Sequence, residues 1–459
     1  MKKSFNFMIC ALLICTAVWS LWGCADNLSY EQEPATNNVR EQLKAKLSHE
    51  VTQAEARENL EKLLLEMKIP STRGGDAMQI PPITSVYTRG KAALATRAGE
   101  EVEPYFHIFN FGDNEGFAIM SGDDRVEPLL ALTFEGELTP ETEIDNPGFE
   151  IAYSRMEDYY VERIGVADTI PSIGFDDPIL PGDSLSNPII IDSTYFYDMP
   201  LGYCPVKWGQ RWPYYKYCTL QPGNVNVPTG GARVAVAQLM SIYKYPNSYH
   251  SYLHNRTYYF DWNEMNLYTS IDEDTNPFVN DSTKYDQIAQ LIYQLGTSGN
   301  LNVTYDEYNA SQPGSCSPTR IPIALENFGY TSGGEHMYYD SDIIIDELMN
   351  GYPVLIGGSE EGMVNNVVHS HGWLGHGLMK LMTTHKIYQF PQGWITLGPL
   401  ETYYIKCNWG WNGLHDGYYL SEVFDTNSGP SYPDAEPTRS GVVEGYYQYY
   451  IDAVVYIRK

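Results

Sequence analysis

Four segments between residues 206 and 420 carry side chains that together could perform acyl transfer. They are VKWGQRWPYYKYC (206–218), VPTGGARVAVAQLMSIYKYP (227–246), HSHGWLGHGL (369–378) and YYIKCNWGWNGLHDGYYL (403–420). Acyl transfer through a thiolate needs a cysteine at a helix N-terminus, a histidine that takes its proton, a group that orients this histidine, and an amide donor for the oxyanion. His371 could be the base, Asn408 the orienting group and Gln210 the oxyanion donor. Trp409, next to Asn408, would shield the histidine from water.

The position expected for the nucleophile has no side chain. The second segment predicts a buried helix that begins after a tight Gly230-Gly231 turn. A thiol in the first turn of such a helix has a lowered pKa, because the helix dipole stabilises the thiolate. Gly231 occupies that place. Thr229 is the nearest hydroxyl, but it precedes the helix, and we expect it to be the N-cap rather than a nucleophile.

The other cysteines do not offer a substitute. Cys218 and Cys316 lie in predicted loops and Cys407 lies on a predicted strand, so we expect none of them at a helix start that faces the base. The chain has no CxxC pair, and its scattered cysteines do not form a disulfide scaffold. Three histidines of the third segment fit no helical zinc motif, so we expect neither a metal nor a cofactor: His369, His371 and His376.

The N-terminus has the pattern of an export signal. Lys2 and Lys3 precede an apolar run that ends in LWGC (21–24). A short apolar core behind a basic start is typical of a signal peptide, here residues 1–24, and not of a membrane span. The small residue before Cys24 is typical of a bacterial lipobox, which predicts a lipid anchor on Cys24 and a location at the outer cell surface or in the periplasm. Plain secretion, with Cys24 incidental, is the alternative.

The charge excludes some classes of partner. The 459 residues include 58 acidic and 29 basic side chains, for a formal net charge of -29. Nucleic acid and anionic membrane surfaces repel such a chain, so we do not expect nucleic acid as a partner. The length is ample for a sizeable core.

The chain after the signal is predicted to form two units joined by a linker. Residues 25–164 form the first unit, the Pro-rich residues 165–196 form the linker, and residues 197–459 form the larger second unit.

Within the first unit, hydrophobic periodicity predicts both helices and strands. Residues 54–67 have helical period, as do residues 149–164, and residues 104–133 alternate as strand, turn, strand, turn and strand. Residues 71–99, rich in Gly, Thr, Arg and Ala, are predicted to be loop. The first unit is therefore expected to be a small α+β domain.

The second unit resembles the streptopain-like cysteine peptidases, which are papain-fold bacterial enzymes made with an N-terminal pro-domain. The resemblance rests on WGQ (208–210), AVAQLMSIYKYP (235–246), HGW (371–373) and NWGWNG (408–413), in family order and spacing. GFAIMSGDDRVEPLLALT (116–133) is similar to a strand pair of the family's pro-domain. The resemblance implies an α+β fold, namely a papain-like peptidase domain preceded by a small α+β pro-domain.

The same resemblance implies the roles of the site residues and the partners. It places Gln210 in the oxyanion hole, His371 as the general base, Asn408 as the orienting group with Trp409 beside it, and the nucleophilic cysteine at the position of Gly231. The reaction implied is peptide-bond hydrolysis through an acyl-enzyme. The implied partners are protein or peptide substrates and the chain's own pro-domain, which lies in the cleft until it is removed.

Three departures from the family pattern lie close to this site. Gly231 stands where the cysteine is expected, Arg233 places a cation in a helix predicted to be buried, and His376 stands where the family usually has Asp. We therefore expect the chain to be catalytically inactive. Gly231 is either natural or an introduced substitution, and the additional departures favour a natural one. The alternative function is a non-catalytic cell-surface binding protein or a peptidase inhibitor on the same fold.

Overall fold

The computed structural model describes most of both predicted units. The described residues are 49–67, 81–90, 104–169, 185–186, 190–197, 203–220, 223–268, 285–305, 313–361, 370–389, 393–426 and 448–459. The predicted signal peptide and Cys24 lie outside them. Among the residues described, no helix combines the length and apolar character needed to cross a membrane.

The N-terminal part, residues 49 to 169, packs two helices on a four-stranded sheet. Its elements are α1 (Gln53–Met67), β1 (Ile83–Gly90), β2 (Pro104–Phe111), β3 (Phe117–Ser121), β4 (Leu129–Thr133) and α2 (Pro147–Thr169). Thr52 and Glu55 form a reciprocal capping box at the start of α1, with N–H to side-chain oxygen distances of 3.0 and 3.3 Å. The apolar stripe of α1 is buried, as its helical period predicts.

Both predicted helices and the three predicted strands of this part are confirmed. Two expectations are corrected. Ile83–Gly90 is a strand and not a loop, because it pairs antiparallel with β2 over most of its length. Helix α2 continues to Thr169, into the segment assigned to the linker.

In the C-terminal part, residues 203 to 459, the described α-helices precede the long strands along the chain. Its described helices are α3 (Gly231–Tyr243), α4 (Trp262–Met265), α5 (Asp286–Leu295), α6 (Arg320–Asn327) and α7 (Ser341–Met349). Its described strands are β7 (Thr219–Leu220), β8 (Val225–Asn226), β9 (Ser248–Ser251), β10 (Arg256–Tyr259), β11 (Glu335–Tyr338), β12 (Val354–Glu361), β13 (Ser370–Gln389), β14 (Gly393–Asn408), β15 (Gly417–Leu420) and β16 (Gln448–Val455).

Two further strands come between the N-terminal and C-terminal parts in the sequence. They are β5 (Leu185–Ser186) and β6 (Ile190–Tyr197), inside the segment predicted to be an extended linker. Strand β6 pairs with β13 from Leu378 to Thr384. A smaller compact unit comprises residues 1–48, 172–187 and 385–397, and within its described residues β5 pairs with Ile387 and Tyr388.

One sheet joins the N-terminal and C-terminal parts. Its strand order is β1-β2-β3-β4-β15-β14-β13-β12-β16-β11. The junction is antiparallel, with Gly417 opposite Thr133 and Tyr419 opposite Ala131. One apolar core contains residues of both parts, including Phe117 and Trp409. The predicted α+β class is confirmed, and the backbone hydrogen bonds of β4 are shared between the two parts.

Candidate active site

Gly231, the position expected for the nucleophile, is the first residue of helix α3. Gly230 has a φ of 91°, and a Cβ there would lie 1.9 Å from the carbonyl oxygen of Gly314, so only glycine fits this entry turn. The helix N-cap is Gly230 and makes no side-chain cap bond. This corrects the expected N-cap role of Thr229, whose backbone N–H instead donates to the Gln210 carbonyl at 3.0 Å.

His371, on β13, lies directly against Gly231. A Cβ on Gly231 would be 2.5 Å from Cε1 and 2.7 Å from Nδ1 of His371, and 2.6 Å from the carbonyl oxygen of Gly372. His371 Nε2 donates to the Trp409 carbonyl at 2.8 Å, since a carbonyl can only accept. Nδ1 therefore carries the lone pair, on the side of Gly231. Burial lowers the pKa of His371 to about 4, so the ring is neutral at pH 7.

The hydrogen bond to His371 Nε2 is made by the Trp409 carbonyl and not by the side chain of Asn408, which was expected to orient the histidine. Asn408 Nδ2 donates to the Val206 carbonyl at 2.9 Å, and its Oδ1 accepts from Gln238 Nε2 at 2.9 Å. The buried amide is already saturated by segments behind the site. Trp409, the next residue in the chain, contacts His371 with its backbone carbonyl.

Trp409 is itself held by buried acceptors. Its backbone N–H donates to Asp416 Oδ1 at 3.0 Å, and its indole Nε1 donates to the His415 carbonyl at 2.9 Å. Burial raises the pKa of Asp416 to about 7. Sequence reasoning missed Asp416. Its only signal is its place in the HDGYYL turn after NWGWNG.

Gln210 is buried, and neither polar atom of its side chain has a hydrogen-bond partner within the described residues. It is not among the described residues that line the cleft cavity. The backbone carbonyl of Gln210 itself accepts a hydrogen bond from the Thr229 N–H. An unpaired buried amide is costly in a folded protein unless a ligand or water meets it.

Both side chains that depart from the family pattern have partners. Arg233 donates from Nη1 to Cys218 Sγ at 3.0 Å and from Nη2 to the Tyr305 hydroxyl, and its guanidinium lies 5.2 Å from the Tyr305 ring centroid. No carboxylate pairs with it within the described ranges. His376 Nδ1 accepts from the Cys204 N–H at 2.9 Å, and burial lowers its pKa well below the usual value. His376 is therefore a neutral hydrogen-bond acceptor.

One cysteine lies closer to the site than the sequence predicted. Cys316 lines the same cavity as Gly231 and His371, although it is in a loop. Burial raises its pKa to about 11, so it is a neutral thiol at pH 7 and a poor nucleophile. Burial also raises the pKa of Cys407.

The start of α2 enters the cleft from the N-terminal part. Asn146 caps this helix by accepting from the Gly148 and Phe149 N–H groups, and donates from Nδ2 to the Leu414 carbonyl at 3.0 Å. A Cβ on Gly148 would lie 2.5 Å from the Trp409 ring and 2.7 Å from His371 Cδ2. His371 is thus enclosed between Gly231 on one side and Gly148 on the other.

A cavity of about 800 Å³ remains beside this contact. Its wall includes Gly231, His371 and Trp411 from the C-terminal part, and Asp145 and Glu150 from the N-terminal part. This volume is in the range of binding clefts for small molecules and short peptides.

Each of the two parts matches a known protein family. Residues 208–419 match the Peptidase C10 family, and residues 48–158 match the Spi protease inhibitor family. The C-terminal part is therefore cysteine-peptidase-like and the N-terminal part is inhibitor-like, which confirms the predicted resemblance at this level.

Individual relatives are distant. The thiol protease/hemagglutinin PrtT of Porphyromonas gingivalis is 22% identical over 376 residues, which cover 77% of this chain and 38% of PrtT. The chain thus spans less than half the length of that relative. A prointerpain A fragment of Prevotella intermedia, solved as a cysteine-to-alanine mutant, is 19% identical, with 73% of this chain and 94% of that chain covered and a TM-score of 0.44. Active wild-type interpain A is 22% identical, with 47% and 84% covered and a TM-score of 0.31.

Proposed function

We propose that this chain, whose residues 208–419 match the Peptidase C10 family, is an exported peptidase-like protein that does not hydrolyse peptide bonds. One observation carries the proposal. The imidazole of His371 occupies the space in which a side chain at residue 231 would begin, with a Cβ to Nδ1 distance of only 2.7 Å. Residue 231 has no thiol, and the space that its side chain would need is filled by His371 and the Gly372 carbonyl.

The rest of the machinery supports descent from an active enzyme. His371 keeps its lone pair toward residue 231, the Trp409 carbonyl holds the opposite ring nitrogen, and the Gln210 amide has no partner within the described residues. We assign these three the base, orienting and oxyanion positions of the ancestral site. A base without a nucleophile has no substrate proton to take, so they perform no hydrolysis here.

The second candidate is binding of polypeptide without cleavage. The cavity of about 800 Å³ beside His371 favours it, because loss of the nucleophile has not filled the cleft. The N-terminal part, with α2 at the catalytic position, would remain attached and form one wall of this binding site.

We also propose that the chain is exported through residues 1–24 and anchored by a lipid on Cys24. The basic start, apolar run and LWGC sequence support this. Mass spectrometry of the protein from its native membrane fraction tests it, since a diacylglyceryl modification on Cys24 is expected. An unmodified N-terminus in the culture medium would favour plain secretion.

Activity is tested with the purified full-length protein. We expect no casein hydrolysis and no labelling of a cleft residue by a thiol-directed epoxide. Labelling mapped to Cys316, which lines the cavity, would show that another thiol has taken over the reaction. Binding is tested separately, by calorimetric titration with a mixed peptide library, and measurable heat without cleavage is expected.

A further inference from the structure

Among the described carboxylates that line the cleft cavity, Asp452 is the partly buried one, whereas Asp145 and Glu150 are exposed. Asp452, on β16, is paired across the sheet with Gly357, on β12, and both residues line the cavity. A Cβ on Gly357 would lie 2.4 Å from Asp452 Oδ1. Because Gly357 has no side chain, the Asp452 carboxylate can occupy the space beside it.

This carboxylate is held in place before any ligand arrives. His336 Nε2, on β11, lies 2.9 Å from Asp452 Oδ2, and the Asp452 side chain is only 24% exposed. Burial raises the pKa of Asp452, which means that its charged form is incompletely solvated in the fold. A cation that entered the cavity would compensate this cost.

The basic side chain that already contacts Asp452 is His336, and the rest of the described cavity wall adds no stronger base. Neither Lys nor Arg lines the cavity within the described residues, and His371 is neutral. Asp145 and Glu150 contribute two more carboxylates at the exposed side, and Trp411 adds an aromatic ring. A basic group over such a ring gains a further cation–π attraction.

Resting on the proposed binding of polypeptide, we infer that this cavity is specific for a basic side chain, lysine or arginine, whose cation pairs with Asp452. The aliphatic stem would pack on Leu355 and Val454, which line the cavity on the same face of the sheet as Asp452. A free organic amine carries the same chemistry, and the experiment separates it from a polypeptide side chain.

The test uses the full-length protein and a set of hexapeptides in which one arginine is placed at each position in turn. Matched peptides carry citrulline, the neutral isostere, at the same position. We expect at least one arginine peptide to bind about tenfold more tightly than its citrulline partner by calorimetry. Free arginine and agmatine should bind much more weakly than that peptide. Equal affinity for free amine and peptide would overturn the assignment to a polypeptide.

Variants locate the effect. Asp452→Asn should abolish the preference for arginine over citrulline and leave the affinity for the citrulline peptide unchanged. Gly357→Ala should weaken binding of the arginine peptide, because its Cβ displaces the carboxylate. Asp342→Asn, which removes one exposed charge on α7 away from the cavity, is the control and should change nothing. Thermal melts confirm that each variant is folded.

The two proposals fail in different ways. If no peptide of any composition binds, the proposed binding of polypeptide falls and this inference falls with it. If peptides bind but arginine and citrulline do so equally, or if Asp452→Asn keeps the preference, only the role of Asp452 is overturned.

Discussion

Gly231 and His371 are packed directly against each other. With no side chain at Gly231, the imidazole of His371 lies where the first carbon of a nucleophile would be, and the Gly372 carbonyl closes the same space at 2.6 Å. A ring can turn away at modest cost, but a strand carbonyl cannot move without its neighbours. Restoring a cysteine therefore means more than restoring a thiol.

Gly231→Cys in the full-length protein is expected to lower stability without restoring activity. The new Cβ overlaps the Gly372 carbonyl and His371, and overpacking of this kind typically costs about 1–3 kcal/mol. Gly231→Ala introduces the same Cβ without a thiol and should lose a similar amount in urea unfolding. A Gly231→Cys protein that is as stable as the parent and reacts with a thiol-directed epoxide would contradict this expectation.

Asp416→Asn is expected to stabilise the protein at pH 8 and to leave it unchanged near pH 4. In the fold the pKa of Asp416 is raised to about 7 from an ordinary value of 3.8, so the folded state favours the protonated form. The parent thus loses stability as the pH rises from about 4 to about 7, at about 1.4 kcal/mol per pKa unit, and the difference should reach a few kcal/mol.

Asparagine keeps an acceptor for the Trp409 N–H, so the comparison isolates the charge. Urea unfolding of both proteins at pH 4, 6 and 8 measures it. A constant difference across this range would show that Asp416 does not titrate on folding in this window.

At this scale the sequence was informative about residue types and less so about contacts. The resemblance to the family implied that His371 lies beside residue 231, and the two are in contact. Asn408 was expected to orient His371, but the observed acceptor is the backbone carbonyl of Trp409, and every residue has such a carbonyl. A loop position was predicted for Cys316, but no local signal indicates that it lines the cavity.

The first turn of α2 is the element that closes the cleft. Asn146 followed by Pro147 is a strong helix start, and this start points at His371 because Asn146 also donates to the Leu414 carbonyl. The approach is close enough to exclude any side chain at Gly148.

Gly148→Ala is expected to loosen this contact. In an unobstructed helix the change would stabilise by roughly 0.5–1 kcal/mol, but here the new Cβ meets the buried Trp409 ring at 2.5 Å. We expect a lower melting temperature and faster amide exchange at the start of α2. Gly299→Ala is the matched control, because a Cβ there meets nothing within 4 Å. Stabilisation by Gly148→Ala would show that the helix start does not press on the cleft.

Helices and strands with clear hydrophobic periodicity were predictable from the sequence, whereas the strands with which they pair were not. Helices α1 and α2 follow from their apolar spacing, and β2 to β4 follow from alternation. Strand β1, with the sequence ITSVYTRG, is rich in β-branched residues, but it lies within residues 71–99, whose composition predicted a loop. Strand β6 was predicted to be linker because of the surrounding prolines, although it pairs with β13.

For the whole molecule, the N-terminal part is built into the sheet rather than laid on its surface. Strand β4 pairs with β15, Glu135 pairs with Lys207, and the His415 ring lies 4.4 Å from that of Phe149 in a shared core. The polar pair is exposed and contributes little, whereas the strand pairing and buried rings are insensitive to salt.

We therefore expect the two parts to stay together after the chain between them is cut. The proposed inactivity implies that the protein does not cut itself, so purified protein should keep its N-terminal part during days of incubation. An added protease should nick the Pro-rich stretch between residues 170 and 189, and the two fragments should still co-elute in size-exclusion chromatography, in 1 M salt as in low salt. Glu135→Gln should not change this, because shared strands and not the ion pair hold the parts together.

Separation in salt would mean that the contact is mainly electrostatic. Spontaneous, concentration-dependent release of a fragment that begins near residue 197 would mean that the chain processes itself, and the assignment of Gly231 as a vacant nucleophile position would be wrong.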